Sequence, residues 1–228
     1  MIVEQSLEIA KDPQRLDTLK QLNLLDTPME EAFDKLTRLA SKITNSPISL
    51  VSLIDADRQF FKSLFGLPEP LATERETPLS HSFCKQVAAD AQPLIVEDAR
   101  KHPILKDNLA VPDLNVIGYL GIPLTTSDGV GLGSFCVIDT EPRQWTEQEI
   151  EIIKELAESV MTEIELLAQI EERKRAEALI IERNQQYRRV YRFAETTIET
   201  MRETLEMGAD SRELLTYLEQ IEQQLARL

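Results

Sequence analysis

The chain is poor in the residues from which disulfide frameworks and metal sites are built. Its 228 residues include two cysteines, Cys84 and Cys136, and two histidines, His81 and His102. Two cysteines cannot form the several bridges that hold a small secreted domain together. No Cys-x-x-Cys or His-Glu-x-x-His spacing occurs, so the sequence predicts no metal site, and no residue is assigned a catalytic role.

Long hydrophobic segments and an excess of basic residues are also missing. No apolar run approaches the roughly 20 residues that a membrane-spanning helix needs. Residues 1–5 have neither the basic start nor the apolar core of a secretory signal. The net charge is −15, from 25 Lys or Arg against 40 Asp or Glu. This balance argues against a basic surface that could bind the phosphate backbone of a nucleic acid. We expect a cytoplasmic protein that binds neither nucleic acid nor a membrane.

Proline and glycine are unevenly distributed along the chain. All eleven prolines lie at or before Pro142, and six of the seven glycines lie between Gly66 and Gly133. Residues 143–207 contain neither, and both residue types interrupt helices. The distribution therefore predicts a compact domain over 1–145, a long helix over 146–207 and a short helical segment over 208–228.

The long helix begins with a capping-box sequence, in which Thr146 and Glu149 would each satisfy a backbone N–H of the other. Apolar residues then recur in alternating three- and four-residue steps, lapse over 171–177 and resume until Gly208 ends the helix. Residues 210–213 offer a second capping box for the last helix. The apolar seam of the long helix consists of Ile150, Ile153, Ala157, Val160, Ile164 and Leu167, then Tyr187, Tyr191, Ala194, Ile198, Met201 and Leu205.

A helix over 146–207 would be about 90 Å long, at a rise of about 1.5 Å per residue. A domain of this size cannot bury that length by itself, so we expect a parallel coiled coil in a homodimer. An antiparallel hairpin that folds back near the lapse at 171–177 is the alternative.

The compact region is predicted to be an α+β domain. Asp12-Pro13 and Thr27-Pro28 predict two helix starts, and the helices are expected to end near Leu25 and Thr44. Strand pairs joined by tight turns predict a largely antiparallel sheet flanked by helices. The glycines of 128–133 lead into a strand and not a helix, which favours a hairpin turn over a phosphate loop. The predicted strands are 48–55, 59–65, 93–97, 116–125 and 131–139, with a further helix around 80–89.

In sequence, the region from about residue 15 to 167 resembles a GAF domain, a sensing fold common in bacterial regulators. The resemblance implies an antiparallel sheet with a ligand pocket on one face, and helices on the opposite face that form dimer bundles. Residues 171–180, EERKRAEALI, resemble the helical linker that joins such sensors to output domains. The matching segments are RLDTLKQLNLLDTPMEEAFDKLTRLA at 15–40, ISLVSLIDADRQFFKS at 48–63, LSHSFCKQVAADAQPLIVEDARKHP at 79–103 and YLGIPLTTSDGVGLGSFCVIDTEPRQWTEQE at 119–149.

The resemblance also implies which residues line the pocket. The candidates are Phe60 on the second strand, Phe83 and Cys84 on the lateral helix, and Tyr119 and Phe135 on later strands, completed by His81 and Cys136. His81 is included because a lone imidazole titrates near neutral pH. For each candidate the alternative is a packing role in the core, since aromatic residues and free cysteines are usually buried.

The chain also departs from several GAF subfamilies. Neither cysteine is followed by histidine, so the Cys-His pair that attaches a bilin is missing. The Asn-Lys…Phe…Asp-Glu pattern of cyclic-nucleotide binders is absent, and 101–115 lacks the cysteine of the free-methionine-sulfoxide reductases. Any cofactor is therefore unknown, and neither a covalent bilin nor a cyclic nucleotide is supported. After Glu182 there is no histidine to phosphorylate, so no enzymatic output is recognised.

These observations predict a homodimeric GAF regulatory protein that is not an enzyme. It would sense a small molecule or partner and transmit the change along the helical stalk to an unidentified output protein. The break at 171–177 is the expected site of an adjustable register. The alternatives are a thiol reductase that uses Cys84 and Cys136, a structural adaptor without a ligand, and a noncovalent chromophore or haem sensor.

Overall fold

A computed structural model describes residues 10–208 and 211–226. It divides into two compact units, Met1–Ala168 and Gln169–Leu228. The helices are α1 Pro13–Leu22, α2 Glu31–Thr44, α3 Leu71–Glu74, α4 Cys84–Asp90, α5 Ala110–Leu114, α6 Glu147–Glu206 and α7 Ser211–Leu225. The strands are β1 Ile48–Ile54, β2 Arg58–Phe65, β3 Glu76–Pro78, β4 Leu94–Val96, β5 Gly118–Thr125 and β6 Gly131–Asp139.

Within the described residues, the six strands form one sheet in the order β3-β2-β1-β6-β5-β4. Every neighbouring pair is antiparallel. The expected α+β class and the antiparallel sheet flanked by helices are therefore confirmed. The β1–β2 register shifts between Val51 and Ser52, where β2 contains one extra residue, Lys62. This bulge changes the side-chain alternation of β2.

Two layers cover the sheet. The α1–α2–α6 layer packs long amphipathic helices on one face, with Leu19, Phe33 and Ile153 among its fully buried residues. The α4–α5 layer covers the other face with short helices and the 3-10 turns Leu79–His81, Ala99–Lys101 and Leu105–Asp107. The first layer is mainly apolar, and its buried polar side chains, such as Thr37 and Ser63, bond to each other across the layer. The second layer combines apolar residues with a cavity and a cleft.

Local sequence signals explain where three helices begin. The Asp12 carboxylate accepts a hydrogen bond from the Arg15 N–H at 2.9 Å, with Pro13 in the first turn. At the start of α6, the Glu149 N–H donates to the Thr146 hydroxyl at 3.2 Å, and the Thr146 N–H donates to the Glu149 carboxylate at 2.8 Å. The capping box is confirmed. In α4, the Ser82 hydroxyl accepts from the Lys85 N–H at 3.0 Å.

Two expected helix boundaries are wrong. The second helix begins at Glu31 and not at Pro28. The Thr27 hydroxyl donates to the Leu24 carbonyl at 2.9 Å, and the Thr27 carbonyl accepts from Arg75 Nη1 at 2.8 Å. One local and one tertiary hydrogen bond therefore hold the preceding segment outside the helix. The first helix ends at Leu22, because Asn23 adopts the left-handed conformation that terminates a helix.

The heptad seam has a different partner in its first half from the one expected. Ile153, Val160 and Ile164 are fully buried in the domain's own α1–α2–α6 layer. A second helix therefore cannot use these positions as a coiled-coil seam. The pattern reports an apolar stripe, and here the sheet of the same chain covers it.

The C-terminal unit consists of the rest of α6 and α7. Residues 172–189 of α6 are exposed, with ion pairs between Arg173 and Glu177 and between Lys174 and Glu171. Gly208 has φ +88°, as the predicted helix end requires. Asp210 and Leu228, which belong to the predicted second capping box and the last helix, lie outside the described residues. Among the residues that the structure describes, no helix combines the length and apolar composition needed to span a bilayer.

Candidate functional site

Five of the seven candidate site residues come together under α4. A small cavity of about 40 Å³ lies between the sheet and α4, and its lining includes His81, Phe83, Cys84 and Tyr119. Cys136 on β6 contacts Cys84 directly below it. Phe83 and Tyr119 pack edge to face, with 5.4 Å between ring centroids. The cavity is large enough for a water-sized molecule.

The two cysteines form a buried thiol pair. The Sγ atoms of Cys84 and Cys136 are 3.8 Å apart, although 52 residues separate them in the sequence. The Tyr119 hydroxyl donates to Cys84 Sγ at 3.3 Å and lies 3.2 Å from the Ser134 hydroxyl. The Ser52 hydroxyl is also buried, and it has no hydrogen-bond partner among the described residues. The thiols thus lie in a polar patch inside an otherwise apolar layer.

The surroundings separate the two thiols chemically. Burial raises the pKa of Cys84, but the hydrogen bonds from Cys136 and Tyr119 outweigh burial and lower this pKa to about 7. Burial, together with the neighbouring Cys84, raises the pKa of Cys136 above its ordinary value. The hydrogen bond from Tyr119 thus favours the thiolate form at Cys84 over Cys136.

The position of the Tyr119 hydroxyl depends on a glycine in the same strand. A Cβ atom at Gly121 would lie 2.3 Å from Tyr119 Oη and 2.6 Å from two ring carbons. The tyrosine ring lies across this bare stretch of β5, which places its hydroxyl over Cys84. Glycine is thus required here by close approach of a side chain.

A larger cleft opens beside α4. It has a volume of about 370 Å³ and lies between the N-terminal half of α4 and the segment 104–109. Apolar side chains make up much of one wall, and polar groups from α4 and the turn before it make up the other. The lining residues are Ser80, Ser82, Lys85, Gln86, Ile104, Leu105, Asp107, Asn108 and Leu109.

Lys85 and Asp107 are the charged residues that line this cleft, and of the two only Lys85 is buried. The residue is 8% exposed, and its Nζ donates to the Leu79 carbonyl at 2.8 Å. Among the described residues, no carboxylate forms an ion pair with it. Burial lowers the pKa of Lys85. A buried ammonium group with a single neutral acceptor retains donors for an acceptor or anion that enters the cleft.

His81 lies at the edge of the small cavity. Its Nδ1 is 3.0 Å from the Ser80 hydroxyl and its Nε2 is 3.1 Å from the Asp113 carboxylate. Both ring nitrogens are therefore engaged, and the imidazole links the turn before α4 to α5. Among the described residues, no three His, Cys, Asp or Glu side chains are grouped closely enough to hold a metal ion.

Phe60 and Phe135 do not join the cluster. Both lie in the α1–α2–α6 layer on the opposite face of the sheet. Phe135 precedes Cys136 on β6, and consecutive strand residues point to opposite faces, so these two candidates could not share one pocket. On β2, Phe61 lines the cavity where Phe60 was expected.

Several residues of the site, Lys85 first among them, were not predicted from the sequence. Lys85 adjoins Cys84 on α4 but faces the cleft, while Gln59 reaches the buried Ser82 hydroxyl from β2. The signal for Lys85 is a lysine inside a helical segment, Phe83 to Ala89, in which Gln86 is the one other polar residue. Asn108 had no comparable signal, because its amide supports the cleft wall through the Ser82 carbonyl at 3.1 Å.

Comparisons with known proteins agree on the fold. The family model described as "GAF domain" matches residues 28–164, more than half of the chain. A cyclic di-GMP phosphodiesterase of Pseudomonas aeruginosa is 35% identical over 149 residues, which are 64% of this chain and 24% of that protein. This chain therefore spans about a quarter of the length of that curated relative.

Two solved structures show the same fold at low sequence identity. The GAF domain of an Acinetobacter phosphoenolpyruvate-protein phosphotransferase has a TM-score of 0.52 at 16% identity, over 71% of this chain and 99% of that one. The blue-light-absorbing form of the Thermosynechococcus elongatus PixJ GAF domain has a TM-score of 0.50 at 18% identity, over 66% and 91%.

Proposed function

This chain belongs to the GAF domain family, and from that membership we propose that it is the sensing part of a signalling protein. In this proposal a small ligand binds in the cleft beside α4 and changes the state of an output partner through α6. The single observation that carries the proposal is Lys85, a buried cation without a carboxylate partner among the described residues, at the wall of a cleft of about 370 Å³.

The cleft favours a particular ligand chemistry. Leu105 and Leu109 offer an apolar surface, while the Lys85 ammonium and the Ser80 hydroxyl offer donors on the other wall. A small molecule with an apolar body and a carboxylate or phosphate group fits this division. Binding would give the Lys85 charge the counter-charge that it lacks, which favours the ligand-bound state.

We propose that the signal passes from the cleft to α6 through the edge of the sheet. The Trp145 indole N–H donates to the Val96 carbonyl at 3.1 Å, and the Arg143 N–H donates to the Glu97 carbonyl at 2.9 Å. These bonds attach the start of α6 to β4. A ligand transmits a signal only if it binds two arrangements of the protein with different affinity, so we propose that the position of α6 differs between them.

The proposal includes a homodimer that uses the second part of α6. Leu179, Ile180 and Ile181 are 66%, 59% and 58% exposed, which is unusual for three consecutive large apolar residues. A second copy of the same helix is the simplest partner, with the output protein at the same helices. Replacing both Leu179 and Ile180 with Glu is expected to convert a dimer to a monomer in light scattering. A monomeric wild-type chain would overturn this part of the proposal.

We assign no reaction to the domain, and a thiol reductase remains the enzymatic alternative. The 35% identical relative is named a cyclic di-GMP phosphodiesterase, which supports an output in second-messenger signalling. The output is proposed to be this type of enzyme, in another protein or another segment. Reductase activity that disappears in both Cys84→Ser and Cys136→Ser would replace the sensing proposal.

Native mass spectrometry of the purified protein tests the ligand proposal. We expect the wild type to retain an extra mass, and Lys85→Met to lose it because the ammonium group is removed while most of the side-chain volume is kept. Lys106→Met is the matched control, since Lys106 is exposed next to the cleft and does not line it. A wild type without bound mass favours the adaptor alternative, and retention in Lys85→Met places the ligand elsewhere.

A further inference from the structure

We propose that Cys84 and Cys136 are a redox modification site, at which hydrogen peroxide converts the two thiols to an intramolecular disulfide. This inference goes beyond the proposed function and does not depend on a ligand in the cleft. It rests on the position of the two sulfur atoms, the cavity beside them and the hydroxyl that donates to one of them.

The geometry requires a short movement. The Sγ atoms are 3.8 Å apart, and a disulfide bond is about 2.0 Å long, so the atoms must approach by about 1.8 Å. Cys84 is the first residue of α4, where fewer backbone hydrogen bonds restrain the helix than in its interior. Cys136 lies in the middle of β6 between two paired strands and is the fixed member.

The cavity selects the oxidant by size. Cys84 is 2% exposed and Cys136 is 0% exposed, so bulky reagents cannot reach either sulfur in the folded protein. The cavity of about 40 Å³ is lined by Cys84 and Tyr119, and a site of about 10–15 Å³ already holds one water. Hydrogen peroxide is only slightly larger than water. A peptide disulfide such as oxidised glutathione is far too large.

The reaction divides between the two cysteines. The Cys84 thiolate attacks one peroxide oxygen and breaks the O–O bond, which yields a sulfenic acid and a hydroxide that takes a proton to become water. The Cys136 sulfur then attacks Cys84 Sγ and loses its proton, and a second water leaves. The two thiols together lose two electrons, and one peroxide is reduced to two waters. The Tyr119 hydroxyl stabilises the thiolate by the hydrogen bond at 3.3 Å.

The first test measures thiols directly. The reduced protein is treated with a small excess of hydrogen peroxide, then unfolded in N-ethylmaleimide and weighed by intact mass spectrometry. We expect both thiols to become unavailable for alkylation and to return after dithiothreitol. Oxidised glutathione at the same concentration should leave both thiols free. Full alkylation after peroxide overturns the proposal, and so does equally fast oxidation by glutathione, because that result means that the thiols react only through unfolding.

Variants test the assigned roles. In Cys136→Ser, peroxide should leave a sulfenic acid on Cys84, which dimedone traps when the treated protein is unfolded in its presence. Tyr119→Phe should slow oxidation of the pair at pH 6 by about three- to tenfold, as loss of one hydrogen bond to a thiolate predicts. Tyr187→Phe is the matched control, since Tyr187 lies in the C-terminal unit and should oxidise at the wild-type rate. If a folded Tyr119→Phe variant is oxidised at the wild-type rate, the tyrosine has no role in the reaction. If dimedone instead modifies Cys136 in Cys84→Ser, the assignment of the nucleophile is reversed.

Discussion

The two layers on opposite faces of the sheet differ in the length of their helices and in how completely they fill space. In the α1–α2–α6 layer, helices of 10 and 14 residues and the start of a 60-residue helix bury continuous apolar stripes. In the α4–α5 layer, helices of 7 and 5 residues alternate with 3-10 turns and leave a cavity and a cleft. Long helices fill space efficiently, whereas short segments leave gaps. One face is therefore closely packed, and the other keeps the cavity and the cleft at which we propose the functional site.

Two buried lysines, one in each layer, also differ in whether the fold supplies an acidic partner. Lys62 on β2 is fully buried beside α2, where it contacts the Glu30 carboxylate and the Thr27 hydroxyl and lies 5.3 Å from the Phe33 ring centroid. Lys85 on α4 has a carbonyl as its acceptor and no ion pair among the described residues. The first lysine is compensated within the fold. The second has no such compensation among the described residues, and this is why we propose that it binds an anionic group of a ligand.

The largest expected effect tests the packing difference between the layers. Phe135→Ala removes a fully buried ring from the α1–α2–α6 layer, and we expect a loss of about 3–5 kcal/mol in the free energy of unfolding. Phe61→Ala removes a ring that already borders a cavity and so has fewer contacts to lose, and its loss should be smaller. Urea denaturation measures both. Equal losses would mean that the two layers are packed alike.

The next largest expected effect is the difference in stability between variants of the two buried lysines. Lys62→Met leaves Glu30 without its partner at a partly buried site, and we expect a loss of about 1–3 kcal/mol. Lys85→Met breaks no ion pair of the fold, so its stability should stay within about 1 kcal/mol of the wild type. Thermal or urea unfolding of the two variants provides the comparison. A larger loss for Lys85→Met than for Lys62→Met would reverse the roles assigned to the two lysines.

A smaller effect concerns the helix that closes the packed layer. Thr146→Ala removes the hydroxyl that accepts the Glu149 N–H, and we expect a loss of about 1 kcal/mol. Thr162→Ala is the matched control on the same helix, since its exposed hydroxyl only bonds the Glu158 carbonyl one turn earlier. Alanine has the higher helix propensity, so this control should be neutral or slightly stabilising. Equal losses would show that the capping box adds no stability.

The smallest effect is a pH dependence in the α4–α5 layer. Burial lowers the pKa of Lys85 below its ordinary 10.5, so the native state releases this proton at a lower pH than the unfolded chain. Between these two pKa values the unfolded chain binds more protons, and the stability contribution of Lys85 rises with pH. From pH 7 to pH 10 the unfolding free energy of the wild type should therefore rise relative to that of Lys85→Met. A constant difference contradicts a desolvated ammonium group.

Sequence patterns located the elements whose signals are local. Asp12 and Thr146 mark helix starts because each caps residues three positions away. The residues around β3 and α3 carry no such signal. They are held by Arg75, which donates to the carbonyls of Thr27, Phe61 and Lys62 at 2.8 to 3.2 Å. A segment fixed by the side chain of one arginine against distant backbone cannot be recognised from its own periodicity.

The site was only partly predictable for a related reason. Successive side chains of a strand face opposite sides of the sheet, so the sequence alone places Phe135 and Cys136 on different faces. The contact between Cys84 and Cys136 depends on where α4 lies over the sheet, and no spacing within the sequence encodes this placement. The heptad pattern predicts a stripe buried against a second helix, and for the first half of α6 this expected partner is wrong, because a stripe does not state its partner. Ile153 and Val160 meet the sheet of their own domain.

The tyrosine that lies across Gly121 has a consequence for how such a site evolves. Adding one methyl group at this position would push the phenol off the sulfur, since it would lie 2.3 Å from Tyr119 Oη, while both cysteines stayed in place. If relatives were compared by their cysteines alone, a domain that peroxide oxidises and one that it does not would therefore be grouped together. Selection could tune oxidation of this domain through the cross-strand neighbour of Cys136, a glycine that has no side chain.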